Sequence, residues 1–117
     1  MAATDLHTRD GFTAFTTSLP GGAVNEQWDA LVAKVGGKVF CLLGDDPGVL
    51  VFKVNEIAFD GLVEMEGIDQ AAYFARRQWV RVSPGVLEPD LLAGYIRHSH
   101  ALVAAKLTRK ARAELGL

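Results

Sequence analysis

The triplet His98-Ser99-His100 holds side chains suited to proton transfer or nucleophilic attack. It sits inside a helical pattern, so the two histidines are about 200° apart round the axis and cannot chelate one metal as an i,i+4 pair could. Ser99 adjoins both, but neighbours on a helix do not face one another. A Ser–His nucleophile is therefore not indicated. Ser99 falls on the apolar stripe and is expected to bond a backbone carbonyl. Gly36-Gly37-Lys38 resembles part of a phosphate loop but lacks the Gly-x4-Gly-Lys-Ser/Thr spacing and lies between two strand-like runs. Cys41, the single cysteine, lies in the apolar run Val39-Phe40-Cys41-Leu42-Leu43. It rules out an intrachain disulfide and reads as a small buried hydrophobe. Asp45, Asp46, Glu64 and Glu66 read as turn and surface acids. No catalytic residue, cofactor or metal is assigned, and a non-enzymatic protein is expected.

The remaining chemistry is that of positive charge. The 117 residues carry 12 Lys/Arg and 14 Asp/Glu, a net charge of −2. The distribution is uneven: residues 1–60 hold 4 basic and 8 acidic residues, residues 61–117 hold 8 and 6. A polyanion would meet the second half first. The balanced total counts against strong non-specific DNA binding, which draws on many phosphate contacts. Arg109, Lys110 and Arg112 near the end of the last helical pattern oppose the negative pole of its macrodipole.

These residues need a scaffold. At this length, with 50% apolar residues, one domain over 1–117 is expected. No apolar run approaches ~20 residues and no secretory leader is visible, so a cytoplasmic protein without membrane association is expected. A first helix is predicted over 5–18, capped by Thr4 or Asp5 and stopped by Leu19-Pro20-Gly21-Gly22. Residues 23–29, with Trp28, are either a turn or an extended approach. Three strands follow over 31–35, 38–43 and 49–54, the first two joined by the two-residue hairpin signal Gly36-Gly37. Asn55 is placed to cap a helix over 56–66 and Gly67 to end it. Ala71-Ala72-Tyr73-Phe74-Ala75 is a fourth strand candidate, Arg76-Arg77 its hairpin tip, and 79–83 a fifth strand. In that strand Val80 and Val82 would face the core; Trp79, on the outer face with Arg81, either caps the core edge or offers its indole for stacking by Arg81, a base or a ligand. Pro89 suits the first turn of one long helix reaching Leu115, in which Gly94 could let a neighbouring backbone approach. The expected fold is α+β, two-layered, with a five-stranded antiparallel sheet in the order α-β-β-β-α-β-β-α.

The chain resembles the MmcQ/YjbR family of small bacterial proteins. Leu19-Pro20-Gly21, Lys34 through Phe40, Val51-Phe52-Lys53, Trp79-Val80-Arg81-Val82, and Leu92 through Leu107 with its Ser99-His100-Ala101-Leu102-Val103 segment carry the resemblance. It implies a two-layer fold related to secretion-chaperone-like folds and a DNA-binding role through a double-wing motif. Here Ser99-His100 stands where the family usually has Ser-Tyr, and Glu26 and Asp29 flank Trp28 where the family is often basic or aromatic.

A wing reaching phosphate should have a basic tip. Lys34 and Lys38 flank the first hairpin, and Arg76 and Arg77 occupy the third. Asp45 and Asp46 at the second would repel phosphate. No helix aims Asn, Gln or Arg at base edges, so sequence reading is not expected. Lys34, Lys38, Lys53, Arg76, Arg77, Trp79 and Arg81 are the candidate contacts for weak, non-specific DNA binding. The rival is a protein-interaction or chaperone-like module holding a partner peptide on the open sheet face, which exposed Trp28 or Trp79 would favour. A monomer or weak dimer is expected.

Overall fold

Local capping sets the helix starts. The chain is described by a computed structural model over residues 5–27, 29–44 and 48–117. Thr4, Trp28, Asp45 and Asp46, which figured in the sequence reading, lie outside the described residues. Helix α1 (Arg9–Ser18) starts later than expected because the Thr8 hydroxyl accepts from the Gly11 N–H at 3.2 Å. It stops at Leu19-Pro20, as the sequence indicates. Asn55 caps α2 (Glu56–Leu62), its Oδ1 accepting from Ala58 N at 2.7 Å. Pro89 opens α3 (Pro89–Ala104) with Asp90 in the first turn. The expected single long helix is broken. Thr108 accepts from Ala111 N at 3.1 Å and starts a separate α4 (Arg109–Glu114).

The sheet has six antiparallel strands, not five. They are β1 (Gly22–Gln27), β2 (Ala30–Val35), β3 (Lys38–Gly44), β4 (Leu50–Lys53), β5 (Ile68–Gln70) and β6 (Trp79–Val82), in the spatial order β1-β2-β3-β4-β6-β5. The additional strand is β1, which resolves the ambiguous stretch 23–29. It pairs along its whole length with β2, from Gly22↔Val35 to Gln27↔Ala30. The fourth strand candidate, 71–75, is loop, and β5 precedes it. Ile68 is fully buried opposite Val82, whereas Tyr73 is fully exposed.

The helices cover one sheet face. Phe12, Phe40, Phe52, Leu92 and Ile96 meet there, each 2% exposed or less. Burying a side chain of this size contributes about 1.5–3 kcal/mol. In β3 one extra residue breaks the register between Ala33 and Lys34, so Ala33 faces Cys41 while Lys34 faces Val39. The bulge turns Phe40 and Cys41 both into the core. On the other face a smaller cluster joins Val51, Ala71 and Trp79, with Val39, Leu42 and Phe74 packed against it. Among the described residues no helix is long and apolar enough to cross a membrane.

A basic end of the sheet as candidate functional site

Register gathers much of the charge at one end. Gly22 pairs with Val35, the β2–β3 turn follows at Gly36-Gly37, and Lys53 pairs with Trp79. Lys34, Lys38, Lys53 and the loop 71–78 therefore lie at the same end. The turn is the tight hairpin expected, with φ of +58° at Gly36 and +79° at Gly37. A Cβ at Gly36 would stand 2.7 Å from the Leu107 methyl groups, so the end of α3 and the start of α4 rest on this turn. That contact brings the α3–α4 connection, with Lys106, to this end of the sheet.

Lys53 is the centre of the group. Burial, then the neighbouring Lys106 ammonium, then Lys38, hold its pKa below the ordinary lysine value. The ion pairs among the described residues are Arg9–Glu26, Arg77–Glu56 and Arg77–Asp60, and none reaches these three lysines. Lys53 and Lys106 line a cleft of about 460 Å³ with Gln78, Leu102 and the 87% exposed Ile57. The cation over Trp79 is Lys53, its Nζ 6.0 Å from the ring centroid, at the outer limit of a cation–π contact. Val80 and Val82 face the core as expected, and Arg81 shares the outer face with Trp79, opposite Asp69 in β5.

The two loop arginines behave differently. Arg77 is committed to the fold: Nε and one terminal nitrogen donate to Asp60 at 3.2 and 2.7 Å, and the other lies 2.5 Å from Glu56. These carboxylates raise its pKa further. Arg76 is exposed beside it. Trp79 is only 8% exposed, covered by Phe74 with ring centroids 4.5 Å apart, so it cannot offer a free indole face.

The histidines and Ser99 hold α3 in place. Ser99 donates to Tyr95 O at 3.0 Å and to Lys53 O, tying α3 to the end of β4. His100 is buried, edge-on to Phe40, with Nε2 2.7 Å from Pro20 O. His98 Nε2 lies 3.3 Å from the Asn55 amide nitrogen. Burial pushes the Cys41 thiol pKa well up. Gly94 meets no neighbouring backbone and instead opens a shallow apolar groove beside Leu91 and Tyr95, contrary to the close approach expected. Among the described residues no three His, Cys, Asp or Glu side chains gather where a metal ion could sit.

The fold and this surface define a small α+β domain built on a hairpin-rich antiparallel sheet. The YjbR family model matches residues 17–102, and the chain belongs to the YjbR family. It is similar in structure to protein DR2400 of Deinococcus radiodurans, a DUF419 domain. The TM-score is 0.86 at 26% identity, over 99% of this chain and 91% of that one. A protein from Pseudomonas syringae shares the fold with a TM-score of 0.69 at 20% identity, over 81% of this chain and 97% of that one. None of the curated proteins matches the chain.

Proposed function

We propose that this domain is a non-enzymatic binder of nucleic acid, weak and tolerant of sequence, that takes phosphates on the basic end of its sheet. The observation that carries the reading is the meeting of Lys53 and Lys106 in one cleft, with Lys38 near enough to lower the Lys53 pKa as well. Like charges brought together raise the free energy of the unliganded state. A phosphate between them relieves that repulsion and releases counterions. The flanking Lys34, Arg76 and Arg81 and the exposed Arg109 and Lys110 extend the same field. Nothing at this surface is shaped to read base edges, so affinity should follow charge.

The test is a fluorescence anisotropy titration of labelled DNA at several salt concentrations. Binding should fall steeply with salt, and Lys53→Ala/Lys106→Ala should lower the slope of log K against log salt by about 2. An unchanged slope would remove these lysines from the interface. Absence of binding at low salt would overturn the nucleic-acid reading and direct attention to a partner peptide on the sheet.

A further inference from the structure

The loop 71–78 contains two non-glycine residues with positive φ, Tyr73 at 69° and Arg77 at 63°. That conformation is uncommon and costly for a bulky side chain and persists only where surroundings over-determine it. Here they do. The Gln70 side chain donates to Ala71 O at 2.9 Å and Phe74 O at 3.3 Å, and accepts from Arg77 N at 3.0 Å. Arg77 is bound to α2, and Phe74 is pinned on Trp79. The clamps involve the residues on either side of Tyr73 and leave its ring wholly in solvent. A fold that holds a strained aromatic outward gains nothing from that ring internally.

We infer that Tyr73 is a stacking platform for an unpaired nucleobase, with the exposed Arg76 at the adjoining phosphate, so that this wing selects single-stranded over duplex nucleic acid. The inference rests on the polyanion reading above and names its substrate class. A duplex keeps its base faces covered, whereas a single strand offers a π-face at every nucleotide. The loop lies at the same end of the sheet as Lys53, which shares the register position of Trp79. A strand seated on Tyr73 and Arg76 therefore meets the lysine group with its backbone.

Three labelled probes test this at low salt: an oligothymidylate, an abasic strand of equal length, and a duplex. The wild-type protein should bind oligothymidylate more tightly than the abasic strand, although their charges are equal. Tyr73→Ala should lose about tenfold on oligothymidylate and nothing on the abasic strand, and Tyr73→Phe should keep wild-type affinity. Tyr73→Gly should lose the same affinity while raising the melting temperature, because glycine accepts the positive φ without strain. Equal wild-type affinity for oligothymidylate and the abasic strand, or a Tyr73→Ala variant that matches wild type on oligothymidylate, would overturn the inference alone. Failure of the wild-type protein to bind any probe would overturn the polyanion reading and this inference with it.

Discussion

The β2–β3 turn and the loop 71–78 both bring basic residues to one end of the sheet, and they are built differently. The first has two residues, Gly36 and Gly37, whose positive φ costs little because neither carries a Cβ. Local chemistry suffices to form it, and its lysines, Lys34 and Lys38, stay out of the ion pairs among the described residues. The second has eight residues, forces Tyr73 and Arg77 into the left-handed region, and is held by Gln70, Asp60, Glu56 and Trp79. One of its two arginines is consumed in that bracing. A short glycine turn leaves its charges available, whereas a long strained loop uses some of its polar groups as scaffold and presents the rest in a set position.

Breaking the first turn should have the largest effect. Gly36→Ala places a Cβ in the left-handed region and against Leu107, and should cost about 1–3 kcal/mol. Gly37→Ala, where a Cβ meets nothing within 4 Å, should cost only about 1 kcal/mol. Urea denaturation of the two variants checks the order; equal losses would mean that Leu107 does not rest on the turn.

Removing the brace of the second loop comes next. Gln70→Ala deletes the hydrogen bonds that close the loop and should cost about 1–2 kcal/mol. Amide exchange at Arg77, whose N–H donates to the Gln70 side chain, should accelerate selectively, while the β2–β3 turn keeps its protection. Exchange that rises equally at both turns would mean that the two turns are not held separately.

The smallest effect is electrostatic. Lys106→Met removes the repulsion but leaves the burial, so the Lys53 pKa should rise part of the way towards 10.5, readable from its side-chain carbon shifts by NMR. The folded pKa of Lys53 lies below its unfolded value. The unfolded chain therefore binds more protons between the lowered value and 10.5, and stability gains as pH rises through that window. Lys106→Met should flatten that gain. A Lys53 pKa that stays where it was would place Lys106 outside the group.

Elements with a local cause were legible in the chain. Gly36-Gly37 demanded a hairpin, Asn55 a cap, Pro89 a helix start, and Ser99 on an apolar stripe a carbonyl partner. The first strand was ambiguous because Gly22–Gln27 is an edge strand: Val24 alone packs on the core, and pairing with β2 supplies the rest of its order. The fourth strand was misplaced because the apolar run 71–75 outweighed the short Ile68–Gln70, which is a strand only because Ile68 reaches the core opposite Val82. Alternation puts Trp79 on the outer face, either capping the core edge or open for stacking, and cannot foresee that Phe74 folds back over it.

By itself the sequence determined the family, the α+β class and the tight turns, since these follow from residue order, side-chain periodicity and backbone preferences within a few positions. Tertiary structure alone decided which charges are spent and which remain. Asp60 lies 17 residues from Arg77 and neutralises it, while Lys106 and Lys38, far from Lys53 in sequence, add to the burial that lowers its pKa. Coulomb energy depends on distance in space, and only the pairing of the strands and the packing of α2 and α3 on the sheet set those distances.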